Sequence, residues 1–129
     1  MRPSPESNPS AHALFTLERH GEVIIVVPTR MLESFDSSQL EDAADLLTDP
    51  LRSAIEPLVL VDLSEVDYFG SSFLTLLLRC WRVVQPKGGQ MVLSGVSARA
   101  RELLHLTSLD IVWPIYACRP EAIEALEAD

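Results

Sequence analysis

Residues 22–27 read Glu-Val-Ile-Ile-Val-Val and residues 58–63 read Leu-Val-Leu-Val-Asp-Leu. Runs of β-formers this continuous leave no polar side for water, so each predicts a strand buried on both faces. Such strands lie inside a sheet with helices above and below, joined by helical crossovers. The intervals between the runs supply those helices. After Pro28, Asp36-Ser37-Ser38-Gln39-Leu40 offers a cap, and Leu40, Ala43, Ala44 and Leu47 recur at helical spacing up to about Leu47. Asp49-Pro50 is expected to stop that helix. A longer helical pattern opens at Ser71-Ser72 and reaches Val84, and Pro86-Lys87-Gly88-Gly89 breaks it.

Residues 90–94 are expected to form another strand and residues 97–106 a short helix with Ala100, Leu103 and Leu104 inward. A fifth strand is expected over 111–116. A closing helix over 120–126 has Pro120 in its first turn, where the missing N–H costs nothing. At the front, residues 13–18 alternate in part and reach the second strand through a tight turn at His20-Gly21. The order is β-β-α-β-α-β-α-β-α. It predicts an α/β domain with a mostly parallel sheet of about five strands, the first in an antiparallel hairpin, and about four helices.

At 129 residues the chain predicts one domain, over 12–129, behind a Pro- and Ser-rich disordered tail over 1–11. The net charge of −9 comes from 19 acidic and 10 basic residues, with Lys87 the single lysine. Nucleic-acid binding runs on clustered Lys and Arg, so nucleic acid is excluded as an expected partner, as is an electrostatic grip on an anionic membrane. No apolar run approaches the ~20 residues that would cross a bilayer. The first ten residues lack the apolar centre of a secretory signal. Cytoplasmic location is expected, with Cys80 and Cys118 as reduced thiols.

The most informative stretch is the loop and helix around Ser71-Ser72. At 100° per residue, Leu74, Leu77, Leu78, Trp81 and Val84 form one apolar face, with Phe73 and Cys80 at its edge. The polar arc holds Ser72, Thr75, Arg79 and Arg82, and Leu76 and Val83 lie on its far border beside Ser72. Ser72 is thus expected on the outward side of a first helical turn, where backbone N–H groups and the dipole favour an anion by about 0.3–1 kcal/mol. A phosphate there would add about −1.5 to −2 charges. A partner pressed against Leu76 and Val83 would then have to desolvate a dianion. Arg79, two turns along, would act electrostatically. The plainer reading makes Ser71 or Ser72 an ordinary N-cap. The breadth of the apolar sector, with Phe73, Leu76 and Val83, also predicts a homodimer as an alternative use.

Enzyme chemistry has little to stand on. His12, His20 and His105 show no metal-ligand spacing, and His105 is expected as a structural residue near the inward face of its helix. There is no nucleophile elbow, glycine-rich phosphate loop or Cys-x-x-Cys. Asp62 is expected to cap or turn the strand end and Asp67 to hold the loop. No cofactor or metal is expected. A nucleotide site at loop 67–72, at the carboxyl end of a parallel strand, is the third and weakest alternative.

The segment from Leu60 through Asp62-Leu63, Val66 and Asp67-Tyr68-Phe69-Gly70-Ser71-Ser72-Phe73-Leu74 resembles the centre of a STAS domain of the anti-sigma-factor-antagonist type. Lys87-Gly88-Gly89 before Met91-Val92-Leu93, Val96-Ser97 before a helix, and Leu106-Thr107-Ser108-Leu109 where the family often has Leu-Thr-Gly-Leu match in the same order. The resemblance spans about four-fifths of the chain. It implies a non-enzymatic domain that docks on an anti-sigma factor or serine kinase, ATP being bound by that partner. It also implies release on phosphorylation of the second serine, here Ser72 with Ser71 as the alternative, and resetting by a phosphatase. The implied partner-facing set is Asp67, Phe69, Gly70, Ser71, Ser72, Phe73, Leu76, Arg79 and Val83. Two positions depart from the family pattern: Gly70 replaces its Asp and Phe73 its Gly. Those changes fit the alternative of a constitutive adaptor or scaffold subunit of a signalling or transport complex.

Overall fold

The computed structural model describes residues 11–128. The expected tail over 1–11 lies outside them except for Ala11, which opens a one-turn helix, α1 (Ala11–Leu14). The sheet has five strands, β1 (Phe15–His20), β2 (Val23–Pro28), β3 (Leu58–Asp62), β4 (Gln90–Ser94) and β5 (Ile115–Tyr116), in the spatial order β1-β2-β3-β4-β5. The β1–β2 hairpin is antiparallel and every other pairing is parallel. Helices α2 (Leu40–Ser53), α3 (Ser71–Val84) and α4 (Ala98–Leu106) fill the crossovers, α5 (Leu109–Val112) is a single turn, and α6 (Arg119–Glu127) closes the chain.

The unbroken apolar strands follow from this layering. Ile24 and Val26, Val59 and Val61, and Met91 and Leu93 pack toward the side chains of α2, α3 and α4. The alternate residues Val23, Ile25, Val27, Leu60 and Val92 pack toward Ala122 and Leu126 of α6. With helices on both faces, either side of each central strand removes apolar area from water, at about 25 cal/mol per Å2. Strand β4 enters beside Pro57, whose carbonyl accepts the Gln90 amide at 3.0 Å. A side chain at Gly89 would collide with that same carbonyl oxygen, so only glycine fits there.

Three expectations are corrected. Pro50 does not stop α2, which runs through it to Ser53. The proline removes one helical N–H, but Leu51 beyond it is fully buried and holds the last turn against the core. The fifth strand does not begin at Ile111: residues 109–112 make a helical turn, and only Ile115–Tyr116 pair with β4. The completely buried Trp113 anchors this segment, and its placement outweighs the β-propensity of Ile111-Val112, both exposed. His105 does not face inward: it is exposed, with Nδ1 2.9 Å from Asp110 Oδ2.

Both cysteines are free thiols. Cys118 is exposed, and burial pushes the Cys80 thiol up to about 12.

Candidate functional site

The chain leaves β3 through a turn that is held at several points. The Leu63 amide donates to the Ser94 carbonyl at 2.8 Å, extending the β4 pairing past the strand end. The Asp62 carboxylate accepts the Ser64 amide on one oxygen, at 3.0 Å, and Arg119 Nε on the other, at 2.9 Å. Leu63 and Val66 are buried beneath the turn. Asp67 then fastens the loop on both sides. Its amide donates to Glu33 Oε2 at 2.8 Å, and its carbonyl accepts Ser97 Oγ at 2.6 Å. Ser97 Oγ also accepts the Ala100 amide at 3.0 Å, so one hydroxyl caps α4 and secures the loop. Asp67 therefore holds the loop through its backbone amide and carbonyl, while its carboxylate reaches Arg99.

What this loop presents is polar and aromatic. Tyr68 is exposed, and the Arg99 guanidinium lies 4.8 Å from its ring centroid. Arg99 Nη1 is 3.3 Å from Asp67 Oδ2. The next residue turns inward: Phe69 is completely buried and meets Phe73 edge-to-face at 4.9 Å, a geometry worth about 0.5–1.5 kcal/mol beyond its buried area. Gly70 is the extended N-cap of α3 and gives it no side-chain cap. Ser71 and Ser72 are thus the first two helical residues, and neither is the cap. Amides at these two positions have no acceptor within the helix. Ser71 is exposed and Ser72 half-buried.

The structure separates the expected partner-facing set into two groups. Asp67 and Ser71 are exposed, Gly70 and Ser72 are half-buried, and Val83 is half-buried farther along α3. Phe69, Phe73 and Leu76 do not belong with them, being 0%, 1% and 0% exposed. Their burial has a simple cause. Helix α3 rests on the sheet and is also flanked by α2, so its buried sector is wider than a helix covered on one side would need. The apolar breadth that predicted a homodimer is largely used within the chain. Arg79 is also committed, in a two-bond fork to Glu41 of α2.

Tyr68, Arg99 and Glu33 lie outside the expected set. An aromatic residue beside Asp67 was visible in the sequence, but its exposure depends on Phe69 taking the inward direction. Nothing local links Arg99 or Glu33 to the loop, from which they are separated by 32 and 34 positions.

Among the described residues, no group of three or more His, Cys, Asp or Glu is placed to hold a metal ion, and no helix is long and apolar enough to cross a membrane.

Comparisons with known proteins agree with this geometry. The family model described as Mlab, STAS domain matches residues 31–115. No curated protein sequence matches the chain. Among solved structures, an anti-sigma-factor antagonist (STAS) domain protein from Planctomyces limnophilus superposes with a TM-score of 0.79 at 29% identity, covering 87% of this chain and 97% of the other. An anti-sigma factor antagonist from Mycobacterium paratuberculosis gives 0.69 at 24% identity, covering 87% and 92%. The anti-sigma factor antagonist SpoIIAA in its unphosphorylated form gives 0.74 at 19% identity, covering 89% and 97%, a likeness of fold. With the strand order, the pinned loop after β3 and the paired serines opening α3, these matches lead to one conclusion: the chain belongs to the STAS domain family.

Proposed function

We propose that this chain is a non-enzymatic, cytoplasmic anti-sigma factor antagonist that docks on its partner through the face formed by the β3–α3 loop and the start of α3. The partner is an anti-sigma factor or serine kinase that itself binds ATP. Phosphorylation of Ser72, or alternatively Ser71, breaks the complex. One observation carries this reading: two serines occupy the first two positions of a helix without a side-chain cap, beside a loop held rigid at Asp67. A phosphate there gains from the free amides and the positive helix end. The partner would have to desolvate about −1.5 to −2 added charges, so a change that hardly alters the fold has a large effect on docking. The accessible docking residues are Asp67, Tyr68, Gly70, Ser71 and Ser72, with Arg99 beside them and Val83 at the margin.

The second reading, a constitutive adaptor or scaffold subunit, is favoured by the fork between Arg79 and Glu41, which occupies the nearest cation along α3 that a phosphate was expected to use. Gly70 also brings no carboxylate to the loop. Mass spectrometry of the protein purified gently from its own cells separates the readings. The tryptic peptide over residues 53–79 is expected to carry phosphate on Ser72, or on Ser71, in a fraction of molecules, alongside a co-purifying ATP-binding protein. An unmodified peptide with a stable partner would favour the adaptor.

A further inference from the structure

Asp62 ends β3 with a side chain only 8% exposed. A carboxylate so placed needs a partner for each oxygen. One partner is the amide of Ser64, at the start of the loop, and the other is Arg119 Nε, from the first turn of α6. Arg119 extends further, with Nη1 donating to Glu18 Oε1 of β1 at 2.8 Å. A continuous set of contacts thus runs from the edge strand across the α6 face of the sheet to the loop after β3. Gly95 bounds Ser64 on one side. Gly95, with φ +66°, lies so close that a Cβ there would come within 3.0–3.1 Å of three Ser64 atoms.

We infer that Arg119 is a positioning residue for the docking loop: through the Asp62 carboxylate it fixes the turn at Ser64, and with it the position from which the loop presents Asp67, Tyr68 and the two serines. What the loop is for rests on the docking reading; how it is held does not. The alternative is that Arg119 merely fastens α6. That helix has separate anchors in Ala122 and Leu126, which are 0% and 2% exposed. Asp62, by contrast, has no other cation within ion-pair distance among the described residues. Loss of Arg119 leaves a buried charge whose one remaining partner is the Ser64 amide. The carboxylate then turns toward water and releases the turn. A lysine restores the charge but not the guanidinium fork that reaches Asp62 and Glu18 together.

Amide hydrogen exchange on the full chain tests this without any partner. In Arg119→Ala, the Ser64 and Asp67 amides are expected to exchange about tenfold faster or more, while Leu60 and Val92 in the sheet keep their rates. Arg119→Lys should fall in between. Glu18→Gln, which weakens only the outer contact, should stay near wild type. If Arg119→Ala does not fold, Asp62→Asn gives the same readout. Aspartate offers two acceptors to two donors, whereas asparagine offers one acceptor and one donor group, so one contact must break. Loop amides at wild-type rates in Arg119→Ala, with faster exchange confined to α6, would overturn the inference. A chain that binds no anti-sigma factor yet shows the loop response refutes the docking reading and still supports the positioning role.

Discussion

Arg79 on α3 and Glu41 on α2 meet in a two-bond fork, Nη1 to Oε1 at 3.1 Å and Nη2 to Oε2 at 2.8 Å, tying together the two helices that lie side by side on the sheet. The Arg79 hydrogen bond first, and its charge second, hold Glu41 below the ordinary glutamate value of 4.5. A carboxyl group depressed in the folded state contributes stability above its unfolded pKa and loses it as pH falls through the folded one. Both side chains are well exposed, so water screens the contribution and keeps it small. The stability difference between wild type and Glu41→Gln, measured by denaturant titration, should therefore be present at neutral pH and shrink as pH falls below 4.5. A difference that stays constant through the acid range would contradict this account of the tie.

Phe73 and Leu76 are core residues despite their place near the serines. Leu76→Ala should cost about 2–5 kcal/mol and Phe73→Ala about 3–5 kcal/mol of folding stability, whereas the exposed Ser71→Ala should stay within about 0.5 kcal/mol. Urea unfolding of the three variants checks the ranking. A neutral Leu76→Ala would mean that α3 presents a different face.

Ser108 has φ 63° and ψ 17°, the left-handed conformation, at the end of α4. It occupies the glycine position of the Leu-Thr-Gly-Leu pattern to which 106–109 was matched. For a residue with a Cβ this conformation costs about 1–2 kcal/mol. Ser108→Gly should recover part of that cost, offset by the greater freedom of glycine in the unfolded chain. The expected result is a modest rise in Tm by calorimetry, and a clear fall would refute the strain.

Tyr68 combines exposure, a rigid base and an arginine over its ring, the composition common at interface hot spots. Tyr68→Ala should weaken docking on the proposed anti-sigma partner about tenfold or more. Folding should lose the cation–π contact, about 0.5–1 kcal/mol, together with the covered part of the half-exposed ring, and less than Phe73→Ala loses. Parallel calorimetric titration and thermal melts separate the two effects. Unchanged affinity would remove Tyr68 from the docking face.

The strands were legible because β2, β3 and β4 are buried on both sides, which leaves a signature in hydrophobicity alone. Asp67 was expected to hold the loop, but it does so through backbone groups whose partners, Glu33 and Ser97, come from distant parts of the chain. The buried width of α3 was not, since whether Leu76 faces solvent depends on where α2 lies, and no local pattern carries that. The same holds for Pro50, tolerated because Leu51 is buried, and for 109–112, where the burial of Trp113 overrides two β-branched residues. Arg99 and Glu33 reach the loop only through the tertiary fold.

Docking through the serine-bearing face can be read by titrating the proposed anti-sigma partner with wild type, Ser72→Ala and Ser72→Asp in one calorimetric series. Wild type and Ser72→Ala are expected to bind alike while Ser72→Asp loses most of the affinity, with all three melting at similar temperatures. Equal binding by Ser72→Ala and Ser72→Asp would contradict this expectation.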